Sequence, residues 1–214
     1  MKISTRKVLF VSIISTLTFG MTNAFASSAN GIYAGLQGGV SNTDYDSVSG
    51  KTVQNYFNAY APLTFDSQGN NNLAGRIYLG YQFNRFFSTE LGYAYLGNVT
   101  LKNIDNVSGA NADLWENATD LTAKAKVPLP LGLNVFGLAG VAYANVNTSG
   151  VSNRAENLGL SDSQSESGFT GVYGVGAGWD IGRHFGLDAE WRHYAQNGSI
   201  PSTNAITAGF SIHI

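Results

Sequence analysis

The chain of 214 residues has the length of one domain, carries a formal net charge of −2 and contains no cysteine. That balance argues against a nucleic-acid binder, which would be basic, and it leaves no disulfide and no thiolate site. Charged residues make up 12% of the chain, roughly half the share of an ordinary soluble domain.

The elements begin with a positive head of Lys2, Arg6 and Lys7, an apolar run over residues 8–19, and Ala24-Phe25-Ala26. This is the pattern of a secretory signal peptide, and its apolar run is shorter than the roughly 20 residues a helix needs to cross a bilayer. Cleavage is expected after Ala26, which makes residues 1–26 the signal peptide and 27–214 one folded domain. No long apolar segment follows. An exported chain poor in charge and lacking a helical span can satisfy its backbone within a membrane only as a closed barrel.

A first strand is expected over residues 31–40, with Ile32, Ala34, Leu36 and Val40 outward and Tyr33, Gln37 and Gly39 inward. Residues 41–72 are too polar for a lipid face and read as the first external loop. The strongest signal is residues 73–97. Leu73, Ile77, Leu79, Tyr81 and Phe83 alternate with Ala74, Arg76, Tyr78, Gly80 and Gln82. After a short turn at Asn84-Arg85, Phe87, Thr89, Leu91, Tyr93 and Tyr95 alternate with Ser88, Glu90, Gly92 and Ala94. A period of two is the strand period. A long apolar face with aromatics near its ends, opposite a face holding a mid-strand glutamate, is the pattern of a lipid-facing barrel strand.

Residues 98–117 read as a second external loop, followed by a fourth strand to Pro128 with Asp120, Thr122, Lys124 and Lys126 inward. Pro128 to Gly132 is a proline-punctuated periplasmic turn. The fifth strand covers residues 133–145, and residues 147–168 read as a third external loop. The sixth strand, 169–181, puts Tyr173, Val175, Ala177 and Trp179 outward and Gly174, Gly176, Gly178 and Asp180 inward. The seventh, 185–194, puts Asp188, Glu190 and Arg192 inward. The eighth, 204–214, alternates Ile206, Ala208, Phe210, Ile212 and Ile214 with Thr207, Gly209, Ser211 and His213. The fold expected is all-β: an eight-stranded antiparallel up-and-down transmembrane barrel in a Gram-negative outer membrane, with short turns on one side and long loops on the other. The soluble competitor, a lipocalin-like barrel, would turn the apolar faces inward; aromatics at the strand ends favour the membrane version.

Tyr81-Gln82-Phe83-Asn84, Glu90-Leu91-Gly92-Tyr93, Leu96-Gly97, Leu121-Thr122-Ala123-Lys124, Tyr33-Ala34-Gly35 and Glu190 followed by an aromatic resemble strands of the OmpA transmembrane-domain family. The resemblance covers nearly all of the mature chain. Many members of that family carry a second, peptidoglycan-gripping domain, which is not found in this sequence; in that respect it resembles the small opacity and attachment barrels of the same group. The family resemblance implies that Glu90 and Lys124, on neighbouring strands, belong to an interior ion-pair gate. Two positions depart from the family pattern, Gly178 where a further acid is found and Asp188 where a base is found. A gate working by partner exchange would therefore need other bases, Arg192 or Lys126. The resemblance also implies that Ile206, Ala208, Phe210, Ile212 and Ile214 form the signal read by the barrel-assembly machinery, though the same residues serve equally as a plain lipid face.

The candidate interior network is Arg76, Glu90, Asp120, Lys124, Lys126, Asp180, Asp188, Glu190 and Arg192. Nearly balanced signs suit a narrow interior where each buried charge needs a partner. A polar plug filling the barrel is favoured over a gate, because interiors of this size are filled by side chains. His184, His193 and His213 have neither metal-site nor triad spacing, and His193 falls in register with interfacial aromatics. No catalytic, cofactor or metal residue is assigned. The glycines at 174, 176 and 178 precede no helix and form no nucleotide motif.

Three functions follow. The first is a surface protein with a structural or adhesive role, anchored in lipid and lipopolysaccharide and contacting a host or surface ligand through its loops; the loop aromatics Tyr45, Tyr56, Phe57, Tyr60 and Trp115 serve equally as contact residues or as packing of the loop against the rim. The second is a narrow pore using Glu90 and Lys124. The third, a lipid-modifying enzyme, rests on His193 alone.

Overall fold

The alternating faces close into a cylinder. The computed structural model describes residues 30–44, 66–68, 71–102, 108, 112–149, 165–198 and 200–214. Its strands are β1 (Gly31–Asp44), β2 (Asp66–Gln68), β3 (Asn71–Gln82), β4 (Phe87–Lys102), β5 (Ala112–Pro128), β6 (Leu133–Ser149), β7 (Ser165–Ile181), β8 (Phe185–Tyr194) and β9 (Ser202–His213). All pairings are antiparallel, in the order β4-β3-β1-β9-β8-β7-β6-β5, and β5 returns to β4 to complete an eight-stranded barrel. The three-residue β2 lies outside the ring, pairing Asp66 to Gln68 with the far end of β4.

One ladder shows why the surface is apolar. Leu79, Leu91, Leu121 and Val141 are register partners in turn, all outward and each about half exposed at 52–55%. A continuous apolar belt of this kind is rare on a monomeric soluble domain and is required by an acyl-chain environment. Aromatics flank it: Tyr81, Phe83, Phe87, Trp179 and Phe185 towards the short-turn end, and Tyr93, Tyr95, Tyr143, Phe169 and Trp191 towards the other.

The short turns are built for closure. Asn84 Oδ1 accepts the backbone N–H groups of Phe86 and Phe87 at 2.8 and 3.0 Å, an Asx-type turn. Between β5 and β6, Pro130–Gly132 forms a 3₁₀ turn in which Leu131 and Gly132 both have positive φ, 62° and 79°. Inside the barrel, glycine serves close approach: a Cβ at Gly92 would lie 2.4 Å from the Arg76 guanidinium.

The strands are longer than the alternating apolar segments suggest. Residues 41–44, 98–102, 112–117, 147–149 and 165–168, which read as loop, are barrel wall. At 17 residues, β5, β6 and β7 each run about 55 Å along the strand, well over what a band roughly 25 Å tall requires even when tilted. The wall continues past the aromatic belt as an extension. Residues 1–26, read as the signal peptide, and the loop aromatics Tyr45, Tyr56, Phe57 and Tyr60 lie outside the described residues.

Candidate functional site: the barrel interior

The interior stacks three layers. The middle one is a hexad of three bases and three acids, each at most 4% exposed. Arg76 on β3 grips Asp120 of β5 with two bonds, Nη2–Oδ1 at 2.7 Å and Nε–Oδ2 at 3.1 Å, while its Nη1 donates to Glu90 Oε2 of β4 at 3.0 Å. Lys124 of β5 reaches the other oxygen of Glu90, Nζ–Oε1 2.5 Å. From the opposite wall, Arg192 of β8 donates to Asp120 Oδ1 at 3.0 Å and to Glu190 Oε1 at 2.9 Å, with Glu90 Oε2 at 3.7 Å from its Nη2. Two phenols complete the set: Tyr33 donates to Glu90 at 2.9 Å and Tyr194 to Asp120 at 3.3 Å. Fork-shaped guanidiniums spanning two carboxylates suit this geometry because their donors lie in one plane. Buried charge at this density is tolerable only when every group is paired, since removing one member leaves its partners bare.

The layer nearer the short-turn end is polar and looser. Gln37 and Tyr78 both donate to Asp188, the latter at 3.3 Å. Asn134 donates to Asp180 at 3.3 Å, Lys126 donates to Gln82 Oε1 at 3.3 Å, and His213 stacks on Tyr33 with ring centroids 5.0 Å apart. Tyr78, Lys126, Asn134, Asp180, Asp188 and His213 line an opening at that mouth. Of the nine charged residues read as a network, six therefore form one cluster, and Lys126, Asp180 and Asp188 stand apart from it with neutral hydrogen-bond partners.

The third layer, in the extension, is apolar. Leu96, Leu114, Ala118, Ala144, Val146, Val172, Ile200 and Ala205 are all at most 4% exposed. Ser41 ties β1 to β4 here by donating to the Leu96 carbonyl. A fully buried carboxyl, Glu116, lies in this layer, within residues 98–117 that read as a loop. Its signal was present, because Leu114, Glu116 and Ala118 continue the alternation of β5.

The remaining candidates lie on the outer surface. Ile206, Ala208, Phe210 and Ile212 of β9 face outward, as does Ile214. His193 also faces outward, packed between Tyr173 and Trp191 with ring centroids 4.9 and 6.0 Å away and Nδ1 2.9 Å from Asn204 Oδ1. Trp115 is an outward wall residue of β5. Among the described residues no group of three or more His, Asp or Glu is placed to hold a metal.

Comparison with known proteins agrees with this architecture. The chain is 27% identical over 123 residues to outer membrane protein A of Klebsiella pneumoniae, covering 58% of this chain and 34% of that protein. It thus spans about a third of the length of that relative. Among solved structures it resembles OprG of Pseudomonas aeruginosa, with a TM-score of 0.60 at 13% identity over 89% of this chain and all of that one. Neisserial surface protein A gives 0.58 at 12%, over 86% and 97% of the two chains. Ail, the attachment invasion locus protein of Yersinia pestis, solved with the heparin analogue sucrose octasulfate, gives 0.50 at 13%, over 86% and 99%. A family model, the OmpA-like transmembrane domain, matches residues 27–213, so the chain belongs to that family of integral outer-membrane barrels.

Proposed function

We propose that this barrel is a surface anchor, working through its external loops in adhesion or envelope structure, and that its interior is a plug. One observation carries the reading: a paired-charge layer and an apolar layer are stacked across the same interior. An ion entering from outside would first meet this largely apolar layer, whose few inward oxygens, on Ser41, Thr43, Glu116 and Thr203, are engaged with one another or with the wall and replace little of its water shell. The wall extension supports the same reading, since it raises the loop bases above the lipid on a packed pedestal. Lipid and lipopolysaccharide are the proposed surroundings, the outward row from Ile206 to Ile214 the proposed signal to the assembly machinery, residues 1–26 the proposed export signal, and no catalytic role is proposed. The attachment named for Ail, and the polyanion seen with it, give a first class of ligands to try.

The test is adherence by Gram-negative cells displaying the protein, with residues 45–65 and 151–163 replaced by short Gly-Ser linkers. Adherence to glycan-coated or abiotic surfaces should fall to that of cells without the protein while barrel folding persists. Unchanged adherence would remove the loops from the function. The competing pore reading is favoured by the Glu90–Lys124 contact. It requires single-channel currents in planar bilayers that change on Glu90→Gln or Lys124→Gln; the plug requires none in the wild type.

A further inference from the structure

Glu116 is 1% exposed and sits within the apolar layer, where it reaches across the interior. Its Oε2 stands 3.1 Å from Thr43 Oγ1 of β1 and 2.8 Å from Thr203 Oγ1 of β9, and the two hydroxyls are 2.9 Å apart. The three oxygens form a closed triangle, and each of its edges needs one proton. The two hydroxyls own one proton each. The third has to be the carboxyl's own. Were Glu116 ionised, both hydroxyls would turn their protons to it, and the edge between them would set lone pair against lone pair at hydrogen-bond distance.

A second observation points the same way. Glu116 Oε1 is buried without a hydrogen-bond partner. A bare carbonyl oxygen of a neutral acid costs far less than half of an unpaired carboxylate. Among the described residues no neighbour offers a compensating charge. Ser41 and Thr43 from β1, Leu96 from β4, Ala144 and Val146 from β6, and Thr203 and Ala205 from β9 are all uncharged. On β7, Glu166 is the register partner of Val146 and has the same sign as Glu116. Tyr194 and Arg192 of β8 and Asp120 of β5 are bonded to one another in the hexad. Among the described residues Glu116 makes no ion pair.

We infer that Glu116 is held as the neutral acid and that its triangle with Thr43 and Thr203 is a proton-dependent latch across the outer neck. The geometry makes it a latch because β5 lies across the interior from the adjacent pair β1 and β9, so the three oxygens tie opposite walls together. A proton held in the closed neck and lost in the open one makes opening more favourable as pH rises, the sense required by linkage. Ionisation would bring water into the apolar layer and loosen the base of the extension on which the loops stand.

The experiment uses the full barrel refolded into phosphatidylcholine vesicles. Infrared difference spectra across a pH titration read the carbonyl stretch of a protonated carboxylic acid, and E116Q identifies the share belonging to Glu116. Amide hydrogen exchange at residues 41–44, 114–118 and 203–205 reads the neck. In the wild type the Glu116 band should be present at neutral pH and vanish at alkaline pH. From neutral pH up to the midpoint at which that band vanishes, the neck amides should open roughly tenfold more per pH unit than in E116Q, one proton being released per opening. Absence of that band at neutral pH overturns the inference, as does a band that vanishes while neck exchange in wild type and E116Q rises in parallel. Should E116Q fail to fold, Thr43→Val takes its place. It removes two of the three edges of the triangle at nearly constant shape, leaving only Thr203 on Glu116, and its neck amides should exchange faster than wild type already at neutral pH; equal protection would overturn the latch.

Discussion

The lower and upper halves of this barrel are built from the same strands with opposite chemistry. In the lower half the outward side chains are Leu79, Leu91, Leu121 and Val141, and the inward ones are Arg76, Glu90, Asp120, Lys124, Glu190 and Arg192. In the extension the outward positions turn polar: Val40 gives way to Asn42 on β1, Tyr95 to Asn98 on β4, Tyr143 to Asn145 on β6, Phe169 to Ser167 on β7 and Ile206 to Asn204 on β9. Most inward positions turn apolar over the same rungs, with Leu96, Leu114, Ala144, Val146 and Ala205 packed around the polar group of Ser41, Thr43, Glu116 and Thr203. The changeover follows the ladder, since Asn42 pairs with Asn204 and Asn117 with Asn145. The difference teaches that the solvent outside decides which half of the side-chain chemistry goes in. Against lipid the polar residues must face the interior and satisfy one another. Against water the hydrophobic effect returns and the interior becomes an ordinary core.

The comparison can be broken from either side. The largest effect is expected inside the lower half. Glu90→Ala strands Lys124 and part of Arg76 without a carboxylate, and should cost about 3–5 kcal/mol in urea unfolding of the refolded barrel; adding Lys124→Met should restore part of the loss. Outside the lower half, Leu121→Lys places a charge near mid-membrane and should cost about 2–4 kcal/mol in vesicles. Inside the upper half, Leu114→Ala removes a fully buried side chain and should cost at least about 2 kcal/mol, as in a soluble core. Outside the upper half, Asn98→Lys adds the same charge as Leu121→Lys on a wall facing water, and should stay within about 0.5 kcal/mol of wild type. If Asn98→Lys were as damaging as Leu121→Lys, the extension would lie in lipid and the division of the barrel would be misplaced.

What the sequence reveals follows the same line. Where the outward face is greasy, a period of two is conspicuous, and the faces of residues 73–97 can be read residue by residue. Above the belt the period persists in Leu114, Glu116 and Ala118, but the polar partners Asp113 and Asn117 make the stretch look like a loop when apolar-outward is the template. Glu116 was missed for that reason. The interior charges could be placed on one face from alternation alone. Their partners could not, because Arg192 meets Asp120 across the interior at a height set by strand stagger, and Lys126 and Asp188 are separated from the hexad by the same stagger. One-dimensional order carries the facing of a strand and not its vertical offset from a strand three places away.

The seam between β1 and β9 has a temporal consequence. Tyr33 stacks on His213, and the Ile214 N–H donates to the Ile32 carbonyl at 2.9 Å, so the first strand of the domain is paired with its last. No partial chain can close. Until β9 is delivered, β1 is an open edge and every greasy outward side chain lacks the lipid it was selected for, the condition under which strands from different molecules pair with each other. Such a chain has to be kept apart from its copies through the whole transit to its membrane, and the hazard ends in one step, when the last strand arrives.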